Sequence, residues 1–209
     1  MRVALIHGAA TTARVWRYVL PHLPDDWDVV APDRPATGDL DREIEYLSPL
    51  CAHRTVVGVS GGATLGLELV SRGVPVTAAV LHEPAVGSLA PGLLANVGEG
   101  LTARGVAGFG QALYGPAWTT AENDADLSVV QAEFDMFRRF EPSAPASRSG
   151  DLVVISTGSA SAPARRRSVT RLCAEFGLRQ TVLQGCSHAA HLEAPQRLAT
   201  LIRSVADTC

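Results

Sequence analysis

The stretch "VVGVSGGAT", residues 56–64, places two valines ahead of a serine with glycine on both sides. β-Branched residues running into Gly-x-Ser-x-Gly read as a buried strand that turns sharply into a helix. Ser60 stands at the turn, and Gly58, Gly61 and Gly62 are neighbours too small to obstruct it. A plain strand-to-helix turn accepts the same residues, so the surrounding sequence has to decide whether Ser60 is an exposed nucleophile.

Working outward, short and nearly continuous apolar runs recur: Val3 to Ile6, Val29 to Ala31, Val56 to Val59, Ala78 to Leu81, Leu152 to Ile155 and Thr181 to Leu183. Segments with helical character lie between them, among them Thr12 to Leu23, Gly62 to Arg72 and Ala164 to Phe176, with proline and glycine as punctuation. Strands that are apolar throughout and alternate with helices imply a sheet covered on both faces. The expectation is a doubly wound α/β domain, 1–209, with a mostly parallel sheet of about six strands and helices on both faces. The rhythm breaks over 85–148, where a glycine-rich stretch precedes a segment with Leu127, Val130, Phe134 and Phe137 at helical spacing. This reads as an inserted short helical cap, and the Pro/Ser-rich linker Glu141 to Gly150 returns the chain to the sheet at Asp151.

Composition narrows the chemistry. The 209 residues are 46% hydrophobic and 19% charged with a formal charge of −3, as expected for one globular domain and not for a nucleic-acid or anionic-membrane binder. The longest run of like charge, Arg165-Arg166-Arg167, reads as a solvated helix face. All cationic side chains are arginine and lysine is absent, which removes Schiff-base and Ser-Lys mechanisms. Cys51, Cys173, Cys186 and Cys209 lack metal or disulfide spacing and read as reduced thiols. The N-terminal apolar run is too short for a signal peptide or membrane span, so a cytoplasmic location is expected.

A serine nucleophile needs a base. His188, in "QGCSHAAHLEAP" after the last expected strand, falls on the same sheet rim as Ser60. His191 lies one helical turn on, but no third ligand has metal spacing, and His7 and His22 read as structural. The turn after "VALIH" offers the amide of Ala9 as an oxyanion donor alongside that of Gly61. Taken together, His7-Gly8-Ala9, "APDRPATGD", Gly58 to Gly62, and Gly185 with His188 resemble the α/β-hydrolase family, small esterase- or haloperoxidase-like members in particular. The resemblance implies a Ser, acid, His order, but the loop that usually carries the acid reads Gly158-Ser159-Ala160-Ser161. Two substitutes are open. Glu83 ends the strand before the cap, and some family members carry the acid there; otherwise Ser60 and His188 form a dyad with Ser159 or Ser161 holding the imidazole.

Three functional classes follow. The first is a serine hydrolase without cofactor or metal, acting on a small to medium hydrophobic acyl substrate, with Phe109, Tyr114 and Trp118 lining an apolar pocket. The second is a cyclase, lyase or epimerase that moves protons through His188 or Glu83, and the third is a ligand-binding pseudoenzyme. The identity of the substrate and the oligomeric state are not written in the sequence.

Overall fold

The computed structural model describes residues 1–146 and 152–208. Residues 147–150 of the expected linker, Asp151 and Cys209 lie outside the described residues. The strands are β1 (Arg2–Ile6), β2 (Asp28–Val30), β3 (Thr55–Val59), β4 (Ala78–His82), β5 (Val153–Gly158) and β6 (Arg179–Leu183). They form one parallel sheet in the order β2-β1-β3-β4-β5-β6. The winding reverses between β1 and β3, so their carboxyl ends flank a topological switch point, where open α/β sheets form crevices, and β4 ends beside it.

The sheet faces explain the continuous apolar runs. β3, β4 and β5 are buried along their whole length, whereas the edge strands β2 and β6 are partly exposed. On one face Ala4, Ile6, Val56, Leu81 and Ile155 meet helices α1 (Leu40–Cys51), α2 (Gly61–Ser71) and α5 (Pro163–Phe176), which contribute Leu47, Leu65 and Leu172. On the other, Val3, Leu5, Val57 and Val80 meet Trp16 and the helix α7 (Pro195–Ala206), which contributes Leu198 and Ile202. Each such aliphatic side chain stabilises the fold by about 1.5–3 kcal/mol when fully buried, so a strand apolar on both faces is held from both sides. A short helix α6 (Ala190–Glu193) precedes α7. Cys51, Cys173 and Cys186 are unpaired, buried thiols.

One local reading is corrected, and the glycine-rich stretch gains its shape. The expected helix Thr12 to Leu23 is instead a pair of 3-10 turns, Ala13–Tyr18 and Leu20–His22. Pro21 has no N–H to continue an α-helical ladder, and the apolar Val15 and Trp16 still reach the core. The glycine-rich stretch before Tyr114 is helical: α3 spans Ala95–Tyr114 and breaks at Arg104 and Gly105, where Gly105 has φ +58°. The two halves fold back on each other with Gly100 against the Gly108 carbonyl, an approach that a side chain at either position would block. Helix α4 (Leu127–Arg139) follows, burying Val130, Phe134 and Phe137 while Leu127 stays 53% exposed.

A buried ion cluster ties this segment to the sheet. The Arg34 side chain, fully buried, pairs with Glu43 of α1 at 3.0 Å and Glu133 of α4 at 2.5 Å. Its remaining N–H groups donate to the carbonyls of His7 (3.0 Å) and Gly8 (3.1 Å). Replacing Arg34 by alanine strands two buried carboxylates. The expected loss is about 3–5 kcal/mol of unfolding free energy, read from urea titration; a loss below about 1 kcal/mol would show that the cluster does not hold the two parts together.

Candidate active site

Ser60 sits between β3 and α2 with φ +58° and ψ −123°. A non-glycine residue in this region is strained, and such strain is characteristic of the nucleophile elbow. Its neighbours show why glycine is required. A Cβ on Gly58 would drive into the backbone of Gly62, and one on Gly62 into the carbonyls of Ile6 and His7. The elbow is fixed by the Ser60 amide donating to the His82 carbonyl (2.9 Å) and by the Thr64 amide and hydroxyl donating to the Ser60 carbonyl at 3.0 and 3.2 Å. Strained φ values recur at Glu83 (+49°) and Ala10 (+52°), just past the ends of β4 and β1.

Glu83 and His188 are brought together. His188 Nδ1 lies 2.9 Å from Glu83 Oε2, and because a carboxylate only accepts, Nδ1 carries the proton and Nε2 offers a lone pair. Glu83 Oε1 accepts from Thr157 Oγ1 (2.7 Å), the Gly158 amide (3.1 Å) and Ser161 Oγ. The loop that carries no acid thus supplies the donors that hold one. Neither Ser159 nor Ser161 holds the imidazole: Glu83 does, Ser161 turns to the carboxylate, and Ser159 Oγ accepts from the Gly185 amide at 3.0 Å.

Burial works against the charge on Glu83, yet the hydrogen bond and charge of His188, with His82 and Arg165 nearby, hold its carboxyl well below the usual carboxylate range. For His188, burial and then the Arg165 charge push the imidazole down to about 4, against the opposing pull of Glu83. The pair at neutral pH is therefore a carboxylate and a neutral imidazole. Nε2 of His188 is buried and has no hydrogen-bond partner among the described residues.

Sequence reasoning missed the role of His82. Fully buried at the end of β4, it accepts from Ser156 Oγ at Nδ1 (2.9 Å) and donates from Nε2 to the Ser187 carbonyl (3.0 Å). The residue before His188 is thereby pinned to the sheet, and Ser187 Oγ is held in turn by Glu193 at 2.7 Å. The motif "HEP" carried the signal, since a polar pair closing an apolar strand needs partners once buried.

The turn after β1 lies against the elbow. A Cβ on Gly61 would fall 3.1 Å from the Ala9 amide nitrogen, so the two amides expected as oxyanion donors are neighbours. Neither finds an acceptor among the described residues. His7 is a fixed part of this turn: Nδ1 donates to the Gly8 carbonyl (3.0 Å) and Nε2 accepts from the Arg34 amide (3.1 Å).

A narrow cavity of about 30 Å3 opens at Ser60, with Leu94, Val97, Phe109, Leu113, Phe134 and Phe137 as its apolar wall. That is room for about two waters. Of the three aromatic residues expected in a pocket, Phe109 lies on this wall, whereas Trp118 and Tyr114 do not line the cavity. Trp118 packs on Gly110 and donates to the Ala10 carbonyl (2.8 Å), anchoring the β4–β5 segment. Tyr114 stacks on His188 at 5.7 Å between ring centroids, donates to the Ala9 carbonyl (2.9 Å) and neighbours the Ser60 side chain. His191 lies against Trp16 and Tyr114. Among the described residues no three His, Cys, Asp or Glu side chains are grouped to hold a metal, and no described helix is long and apolar enough to cross a membrane.

A parallel sheet of this order with an elbow, a carboxylate and a histidine at its carboxyl rim defines a class of α/β enzyme folds. The family model described as the alpha/beta hydrolase family matches residues 3–201, and the chain belongs to that family. No curated protein matches the chain. Among solved structures it is similar to a hydrolase from Pseudomonas aeruginosa, with TM-score 0.75 and 19% identity over 98% of this chain and 89% of that one. It also resembles a lipase-esterase related protein from Clostridium acetobutylicum, with TM-score 0.77 and 10% identity over 98% and 93%. A third is an enol-lactonase from Burkholderia xenovorans, with TM-score 0.72 and 15% identity over 99% and 90%. At these identities the likeness is one of fold.

Proposed function

We propose that the protein is a serine hydrolase of carboxylic esters, with Ser60 as nucleophile, His188 as general base and acid, and Glu83 as the orienting carboxylate. The observation that carries this reading is the 2.9 Å contact between His188 Nδ1 and Glu83 Oε2, which leaves Nε2 as a buried, unpartnered acceptor. In the reaction Nε2 takes the Ser60 proton as Oγ adds to the ester carbonyl; the amides of Ala9 and Gly61 receive the oxyanion. The alcohol leaves with that proton, and a water activated by the same nitrogen releases the acid. For attack, the Ser60 hydroxyl must exchange the neighbourhood of Tyr114 for Nε2. The segment 85–146 acts as an apolar lid whose side chains part to admit the substrate, since the cavity as it stands is too small for an ester.

The pH profile tests the assignment of the base. Nε2 works only when unprotonated, so kcat/KM for p-nitrophenyl butyrate should rise through an acid limb at about 4 and then stay level through neutrality. An acid limb at the ordinary histidine value of about 6.5 would contradict a base held in this environment. The proton-transfer reading, cyclase, lyase or epimerase, makes no use of the elbow or of the two free amides. No turnover of any ester by the wild type would favour it.

A further inference from the structure

Arg165, expected to point into solvent with its two neighbours, does not. It lies in the first turn of α5 with its side chain only 12% exposed, and it lines the cavity at Ser60. Arg166 and Arg167 are exposed, as expected. Consecutive residues on a helix point about 100° apart, so one arginine of three can face inward.

The guanidinium has unspent capacity. Its nearest carboxylate oxygen, Glu83 Oε2, is 4.0 Å away and already bound by His188 at 2.9 Å, while Oε1 is taken by Thr157, Gly158 and Ser161. The side chain makes no hydrogen bond to any described residue. Burial disfavours its charge, and the Glu83 charge compensates only in part. A guanidinium keeps its proton in proteins and carries five donors, so a largely buried one without hydrogen-bond acceptors is a site waiting for an anion. Its other side opens to a second, larger groove of about 590 Å3 that also contains Arg167, Arg171, Asn96 and Ser168, with Glu99 as its one acidic side chain among the described residues. Arginine therefore stands at the junction between a cationic outer groove and the apolar cavity of the nucleophile.

We propose that Arg165 is a specificity residue that binds a carboxylate carried by the substrate, so that the preferred substrates are half-esters of dicarboxylic acids or esters with an equivalent acid group. This rests on the hydrolase reading of Ser60. The planar fork matches a carboxylate in bidentate fashion, and the outer arginines raise the local concentration of anions. Glu83 does not repel the ligand strongly, because its four donors, His188 among them, already spread its charge.

The test compares monomethyl glutarate with methyl pentanoate, matched in chain length, by pH-stat with wild type, Arg165→Gln and Arg165→Lys. Wild type should prefer the half-ester. Arg165→Gln should lower the half-ester to neutral-ester ratio of kcat/KM about 10- to 100-fold, chiefly through KM, and Arg165→Lys should lie between. Equal losses on both esters would mean that Arg165 only positions Glu83, and would overturn the proposal. A second arm measures glutarate binding calorimetrically, independent of turnover. Binding by wild type but not by Arg165→Gln upholds the anion site even if neither ester is hydrolysed, a result that would sink the hydrolase reading alone; absence of glutarate binding by wild type overturns the site.

Discussion

Ser60→Ala should abolish ester hydrolysis, lowering kcat by about 10⁴- to 10⁶-fold, the range in which removing the nucleophile of a triad enzyme falls. The argument starts with the backbone. At φ +58° the Ser60 turn projects one short side chain beside the Ala9 and Gly61 amides, and the neighbouring hydroxyls have other partners: Tyr114 donates to the Ala9 carbonyl, and Thr64 Oγ1 donates to the Ser60 carbonyl and accepts from the Ala85 amide. Thr64 is thus committed and cannot substitute. Alanine suits the elbow no worse than serine, so the variant should melt within a few degrees of the wild type. Stopped assays with p-nitrophenyl butyrate, alongside a thermal melt, separate lost chemistry from lost fold.

Glu83→Gln should lower kcat by about 10⁴-fold, as replacing the orienting acid by its amide does in a serine protease. The physical cause lies in the donor count. Glu83 receives four hydrogen bonds, from His188, Thr157, Gly158 and Ser161, and donates none. An amide has one NH2 end, which must face either the imidazole or the three donors of the β5 loop. Facing the imidazole, it forces the proton of His188 onto Nε2 and removes the base. Facing the loop, it sets donor against donor in a buried site, and the fold loses stability instead. A variant that keeps both its activity and its melting temperature would mean that the carboxylate is not the acid of the site. Ser161→Ala, which removes one of the three Oε1 donors, should have a far smaller effect.

Much of this architecture was legible because its causes are local. The six apolar runs are each too short for a helix, and they form the six parallel strands, the central ones buried on both faces and the edge strands β2 and β6 partly exposed. The glycines around Ser60 announced the elbow because only glycine survives against the Ile6 and Gly62 backbone. What escaped depends on contacts distant in sequence. The tie from Arg34 to Glu133 joins residues 99 positions apart, and nothing near Arg34 signals that it is buried. The helical nature of the glycine-rich stretch before Tyr114 depends on its two halves packing at Gly100 and Gly108, which overrides poor helix propensity. Aromatic character alone points Trp118 and Tyr114 to the pocket, whereas their polar tips bind the carbonyls of Ala10 and Ala9. Arg165 was hidden within a triplet whose other two members behave as such triplets usually do.

The most direct single test is covalent. The enzyme, incubated with a fluorophosphonate and digested, should show one adduct by mass spectrometry, on the peptide that contains Ser60, and the labelling rate should collapse in His188→Ala. An ester-hydrolysing wild type that takes no adduct at Ser60, or takes it on another residue, would contradict the account.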